Sequence, residues 1–216
     1  MFFKNKKGQF FPYSDSAPRK HFPILVITLI VLNVMIFLWS YFGDFESIIK
    51  TFGFIPAFPS VITLFSSMFL HGGIDHIFGN MWYLWIFGDN VEDRFGKIKF
   101  LLLYFASGLA ATFLQYITDP ASTVPSIGAS GAISGILGAY IVLFPKERVL
   151  TSIGYSFVRV PAYIVIGFWF FIQFIFGAYS LLGGVGSNIA FWAHIGGFIF
   201  GLASAFIMRG RIKEQD

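Results

Sequence analysis

Residues 22–43 contain no charged side chain, and this run constrains the fold more than any other feature of the sequence. As a helix rising about 1.5 Å per residue, it spans a hydrocarbon core of about 30 Å. Inside lipid every backbone N–H and C=O must be satisfied within the protein, so such a segment has to be helical. The run exceeds a signal-peptide core, lacks a small-residue cleavage site and ends in Trp39, Tyr41 and Phe42. It therefore reads as an uncleaved anchor, with Trp39 and Tyr41 at the membrane interface.

Four further uncharged runs follow, at residues 77–88, 100–118, 127–144 and 160–193. The last is too long for one helix and is broken by Gly183, Gly184, Gly186, Ser187 and Asn188 into helices near 160–180 and 189–208. The chain is 56% hydrophobic and only 12% charged, about half the charge of a soluble domain, so lipid must coat it. The pattern predicts an all-α polytopic membrane protein: a flexible basic tail at 1–21, a six-helix core at 22–208 and a second tail at 209–216. The connection at 44–75 holds Pro56 and Pro59 yet is apolar at 52–58 and 61–70, which predicts a first outer loop embedded in the membrane. No internal repeat of the transporter kind is visible. The absence of cysteine excludes disulfides, thiolate metal sites and a thiol nucleophile.

The basic residues orient the bundle. With six spans, 14 of the 15 Lys and Arg fall on one face, in the two tails and in the loops holding Arg94, Lys97, Lys99, Lys146, Arg148 and Arg159. Only Lys50 lies on the other. By the positive-inside rule both termini are cytoplasmic, in a membrane of the bacterial plasma-membrane type. The net charge of +4 then reports topology, and no nucleic-acid partner is expected.

Polar groups in such segments are costly and default to functional hypotheses. His76 and Asn80 share one helical face at i and i+4, Ser130 opens the fourth span, and His194 lies near the start of the sixth; Ser134, Gln115 and Gln173 complete the set. The second, fourth and sixth spans all run inward, so His76, Asn80, Ser130 and His194 fall at one depth in the outer half. Pro145 stops the fourth helix about 22 Å after Ser130, which recesses the hydroxyl below the surface. A hydroxyl at a helix N-terminus beside free N–H groups suits an oxyanion-forming reaction, or it simply caps the helix. Gly131, Gly135 and Gly138 opposite Ala193, Gly197 and Gly201 permit close helix contact that brings imidazole to hydroxyl. His194 can then accept the serine proton, or serve as a hydrogen-bonded strut or a step in a proton path. His76 and Asn80 taken alone fit a structural hydrogen bond equally well.

Leu70-His71-Gly72-Gly73-Ile74-Asp75-His76-Ile77-Phe78-Gly79-Asn80, Gly128-Ala129-Ser130-Gly131 and Ala193-His194-Ile195-Gly196-Gly197, in this order on successive apolar segments, resemble the rhomboid intramembrane serine proteases over residues 20–208. The resemblance implies a six-transmembrane-helix rhomboid-like bundle and a Ser130–His194 dyad, serine as nucleophile and histidine as base and then acid. It implies an oxyanion hole from His76, Asn80 and the Ser130 N–H along the Gly128 turn, with His71 structural. It also implies that transmembrane protein substrates enter between the second and fifth helices, where Trp82, Trp85, Phe168, Trp169, Phe171 and Phe174 form a gate or merely pack against lipid.

No carboxylate stands out as a third member: Asp75 is placed to cap the second helix, Asp89 lies at the cytoplasmic end and Asp119 in an outer loop. One intramembrane aspartate does not make an aspartyl protease, and no His-Glu-x-x-His run supports a zinc site, so no metal or cofactor is expected. Two features depart from many relatives. Ser134 stands where an aromatic residue packs on the catalytic imidazole, so another group must orient His194, and the Trp-Arg pair of the first outer loop is missing. The alternatives are a proteolytically inactive rhomboid-like binder of membrane segments, and a small channel or proton-coupled transporter. The second would need polar residues continuing through the inner half. The sequence does not fix the oligomeric state.

Overall fold

The computed structural model describes residues 11–153, 156–182 and 190–212. In chain order the elements are β1 (Phe11–Asp15), α1 (Ile24–Phe42), α2 (Phe45–Phe52), α3 (Val61–Ser66), a single 3-10 turn (Ser67–Phe69), α4 (Ile74–Phe95), α5 (Lys97–Thr118), α6 (Ser130–Leu143), β2 (Arg148–Ile153), β3 (Ser156–Pro161), α7 (Ala162–Leu181) and α8 (Phe191–Ile212).

Helix α6 is the axis. It is buried continuously from Gly131 to Tyr140 and is enclosed by α4, α5 and α8. A helix walled by protein has no lipid thickness to match, which is why 14 residues, about 21 Å, suffice. Its small residues admit α8 to backbone contact: a methyl group on Gly201 would stand 2.5 Å from the Cα of Gly135, and one on Gly197 would stand 2.9 Å from the carbonyl carbon of Gly131. In lipid such backbone proximity replaces the hydrophobic effect as the source of helix association.

Helices α1, α5, α7 and residues Phe191–Arg209 of α8 are each long and apolar enough to cross a membrane, and the pair Val61–Phe69 and Ile74–Phe95, bent by 88°, makes a fifth candidate. Their outward faces carry exposed apolar side chains such as Met35, Leu102, Phe113, Ile164 and Phe206, the surface of an integral membrane protein. The breaker residues expected between the last two helices, 183–189, lie outside the described residues.

The connection between α1 and α4 is structured. Asp44 caps α2 by accepting from the Ser47 N–H at 3.2 Å. Phe54 and Ser126 exchange backbone hydrogen bonds of 3.1 and 2.7 Å, which ties this connection to the segment leading into Ser130. Asp75 does not cap α4; the cap position is Gly73 and Asp75 sits in the first turn, where its charge still favours the helix N-terminus.

Two stretches differ from the sequence reading. Residues 11–15, read as part of a flexible tail, form an edge strand, and the loop after α6 is a hairpin, giving an antiparallel sheet in the order β1-β2-β3. The all-helical reading is amended accordingly. Phe11 pairs with Ser152 and Asp15 with Val149, with an irregularity between Pro12 and Ser14, and β3 carries the chain directly into α7. The β-branched residues Val149, Thr151, Val158 and Val160 favour this pairing. The segment after β1 is gripped by the end of α4: Arg19 pairs with Asp89 at 2.9 Å, Asn90 Nδ2 donates to the Ala17 carbonyl, and Asp93 accepts the Lys20 and His21 N–H groups. Buried Glu92 accepts from the N–H of Leu25 at 3.1 Å and of Val26 at 2.9 Å, satisfying two of the orphan donors that open α1.

Candidate active site

Ser130 is the first residue of α6. The cap position belongs to Ala129, and no side chain caps the helix, so the capping role left open for this hydroxyl is not the one it plays. Its Oγ lies 2.8 Å from His194 Nε2, across 64 positions of sequence. The α6–α8 contact produces this distance: Gly197, one turn after His194, rests on the carbonyl of Gly131, the residue after Ser130.

The other imidazole nitrogen, Nδ1, lies 2.8 Å from Oε1 of Gln173 on α7. A side-chain carbonyl only accepts, so Nδ1 carries the hydrogen and Nε2 presents its lone pair to the Ser130 hydroxyl. The Trp169 ring, one turn earlier on α7, lies 5.8 Å from the imidazole at 39°. Helix α7 thus supplies both the hydrogen bond and the ring that orient His194, which answers the vacancy at Ser134. Ser134 itself donates to the Ser130 carbonyl at 2.6 Å. Gln115 on α5 accepts from the Ala193 N–H at 3.3 Å, steadying the start of α8.

On α4, the Gly72 N–H donates to His76 Nδ1 at 3.2 Å, which leaves Nε2 as the hydrogen-bearing nitrogen. That edge of the ring faces Gly128: a methyl group there would lie 2.9 Å from His76 Nε2 and 3.6 Å from Ser130 Oγ. Gly128 also has φ +125°, a conformation that L side chains rarely adopt, and its N–H donates to the Ser67 carbonyl at 2.9 Å. Asn80 is brought to the same face and buried, but its amide donates to the His76 carbonyl at 3.0 Å, turned back along its own helix. His71 is buried and packs edge-on against His76, with ring centroids 5.1 Å apart. A cavity of about 20 Å³, bordered by Ser67, Thr112, Ser126, Gly128 and Ser130 among others, has room for about one water molecule.

The residues assigned to a gate are dispersed. Trp82 donates to the Pro12 carbonyl at 2.7 Å and stacks on Phe11 of β1, so the N-terminal strand covers it. Trp169 faces His194. Trp85, Phe168, Phe171 and Phe174 are exposed on the outer faces of α4 and α7. The contacts of Gln173 and Trp169 with His194 are not assigned by the sequence; the signal it holds for the first is a lone amide in an otherwise apolar helix. Among the described residues no group of three or more His, Cys, Asp or Glu is placed to hold a metal ion.

A family model of the Rhomboid domain matches residues 59–211. The chain is 36% identical over 144 residues to "Rhomboid protease GluP" of Bacillus subtilis, covering 66% of this chain and 25% of that protein. It is 31% identical over 147 residues to "Putative rhomboid protease YdcA" of the same organism, covering 67% of this chain and 64% of the relative. With "Rhomboid protein 1, mitochondrial" of Saccharomyces cerevisiae it shares 26% identity over 216 residues, 95% of this chain and 58% of the relative. The chain thus spans between a quarter and about two thirds of the length of these relatives. The matched region takes in all three motifs and both helices that carry the paired serine and histidine, and the chain is a member of the rhomboid family.

Proposed function

We propose that this protein is an intramembrane serine endopeptidase that hydrolyses peptide bonds in or near transmembrane segments of other proteins through a Ser130–His194 dyad. The observation that carries the reading is the 2.8 Å approach of Ser130 Oγ to a His194 nitrogen whose opposite edge is already bonded. The six-span topology, with both termini cytoplasmic and the site opening outward, rests on the placement of the basic residues.

Ser130 Oγ attacks the scissile carbonyl while its proton passes to His194 Nε2, forming a tetrahedral oxyanion. Nε2–H of His76, which faces Gly128 beside the nucleophile, is a donor to this oxyanion, and the unsatisfied N–H groups of the first turn of α6 add their dipoles. Asn80 joins them only after its amide swings from the His76 carbonyl. The imidazolium then gives its proton to the amine nitrogen as the tetrahedral intermediate collapses, the C–N bond breaking and the carbonyl re-forming to leave an acyl ester on Ser130. Water then attacks this ester with His194 again as base, releasing the new carboxyl terminus and regenerating the hydroxyl. A helical substrate must unwind to expose the bond, because its carbonyls are paired, so small residues at the cut and helix breakers nearby favour cleavage. Trp85, Phe168, Phe171 and Phe174, exposed on α4 and α7, are the residues of the gate set that remain candidates for meeting it.

The test is cleavage of a model transmembrane segment by purified protein in liposomes, beside Ser130→Ala and His194→Ala. Product from the parent alone is expected. Absence of product with retained substrate binding would favour the inactive binder, and undiminished cleavage by Ser130→Ala would overturn the assignment of the nucleophile.

A further inference from the structure

We propose that Gln173 is a positioning residue for the dyad, a neutral third member that fixes the tautomer and plane of His194 from helix α7. The inference rests on the Ser130–His194 reading above and deepens it.

A neutral imidazole has one N–H and one lone pair, so its two hydrogen bonds are not independent. With the Gln173 carbonyl accepting from Nδ1, the lone pair is directed at Ser130 Oγ and can take its proton. Were the amide to present its NH2 instead, Nδ1 would become the acceptor and Nε2 would carry hydrogen. The ring would then donate to Oγ and could not act as base. The two bonds leave opposite sides of the ring at equal length, 2.8 Å each, and so define its plane as well as its tautomer.

Gln173 is 8% exposed on a helix whose other residues are apolar but for Tyr163, Tyr179 and Ser180. An unpaired amide there is costly, and this one is partnered by the imidazole. The oxygen acceptor that a serine triad draws from a carboxylate is supplied here by an amide, and no carboxylate among the described residues is bonded to His194. Trp169, from the turn before, restrains the ring face, so the arrangement does not depend on residue 134.

The experiment compares the full chain in liposomes with Gln173→Leu, which keeps the bulk and loses the acceptor, and Gln173→Glu, which keeps an acceptor. For Gln173→Leu we expect kcat on a transmembrane substrate to fall about 10- to 100-fold with KM within about twofold. Modification of Ser130 by a small fluorophosphonate should slow in proportion, since the defect lies in the base and not in substrate access. Gln173→Glu should recover most of kcat and move the acid limb of the pH profile upward, because a carboxylate beside Nδ1 favours the imidazolium. The other titratable side chain acting on His194 is His76 of α4, which is unchanged in both variants.

Ring-nitrogen NMR of the protein in detergent reads the tautomer without activity: Nδ1–H in the parent and a mixed population in Gln173→Leu. Parent-like kcat and an unchanged tautomer in Gln173→Leu would overturn the proposal. So would an equal loss in both variants accompanied by lowered thermal stability, which marks a purely structural role. Failure of the parent itself to cleave, with Ser130 unreactive, would instead sink the protease reading, while the tautomer still decides for or against Gln173.

Discussion

Gly197→Ala is the smallest change that separates the two halves of the dyad without touching either. The added methyl would lie 2.9 Å from the Gly131 carbonyl carbon and closer still to its oxygen. Ordinary contact begins near 3.4 Å, so α8 must retreat from α6 by at least about 0.5 Å to relieve the carbon, and by more than about 1 Å to clear the oxygen. Neither side of the contact offers a rotamer to relieve it, since backbone meets backbone. Ser130 adjoins Gly131 and His194 lies one turn before Gly197, so the retreat is transmitted to the 2.8 Å bond with little room to decay. An Oγ–Nε2 separation stretched to about 3.5 Å is no longer a hydrogen bond, and a misplacement of about 1 Å costs about 100-fold in rate, or about 2.7 kcal/mol. Overpacking lowers stability by a further ~1–3 kcal/mol. Initial cleavage rates in liposomes, taken well below the unfolding temperature, isolate the kinetic part. Gly167→Ala is the control, because a methyl there meets nothing within 4 Å; it should cleave at the parental rate. Parental cleavage and Ser130 reactivity in Gly197→Ala would refute the reasoning that the glycine contact sets the dyad distance.

Gly128→Ala combines a positive φ with a collision against the His76 ring, and should lower kcat about 10²-fold or more while the protein stays folded; a rate within twofold of the parent would argue against an oxyanion donor at His76. Glu92→Ala strips the acceptor from the N–H groups of Leu25 and Val26 and should lower stability by about 1–3 kcal/mol, read as the midpoint of thermal unfolding in detergent. Asp15 is bonded to Tyr140 at 2.5 Å, and burial raises its carboxyl from 3.8 to about 6. A raised folded value favours the docked strand most below about pH 4, and that contribution is lost as pH rises through about 6. The full shift corresponds to about 3 kcal/mol, about half of it after solvent screening at this partly exposed position. The protection factors of residues 11–15, exchange rates corrected for their intrinsic pH dependence, should therefore be higher at pH 5 than at pH 7.5, and Asp15→Asn should flatten the difference.

The sequence exposes the parts of this fold that lipid dictates. Helix α1 falls within two residues of the uncharged run 22–43, and α5 and α7 are similarly bounded, because loss of backbone pairing inside a membrane is too costly to permit another solution. Ser130 at the head of α6, and the approach of α8 at Gly197 and Gly201, follow from small residues spaced one turn apart. What stays hidden depends on long-range partners. The pairing of residues 11–15 with 148–153 links the chain's beginning to a hairpin past α6, and neither stretch carries a strong strand signal until the other is present. Glu92 reads as one more charge near a helix end, yet it is buried because α1 begins beside it. Trp169 reads as one more gate or lipid-facing ring because helical periodicity in a uniformly apolar segment marks no inner face; only the rotation of α7 against α8 turns it toward His194.

The chemistry of the site follows from the same medium. A carboxylate beside His194 would need a counter-charge or water to be tolerated among apolar helices, and a buried ion pair loses in desolvation much of what it gains in attraction. The amide of Gln173 gives the imidazole an oxygen acceptor with no net charge. On the proposed mechanism it would leave His194 neutral at rest, as a base must be, and confine charge separation to the moment of proton transfer. Orientation then has to come from geometry, and helix α7 supplies it twice, through the carbonyl of Gln173 and the ring of Trp169. Any displacement of α7 large enough to admit a substrate helix would loosen both supports at once, so the dyad would regain its working geometry only as α7 reseats. Under that coupling, variants that free α7, such as Phe170→Ala at its 4.4 Å stack on Phe198, should admit substrate more readily yet turn it over more slowly. Kinetics in which kcat and KM fell together would bear this out, and a rise in kcat would refute it.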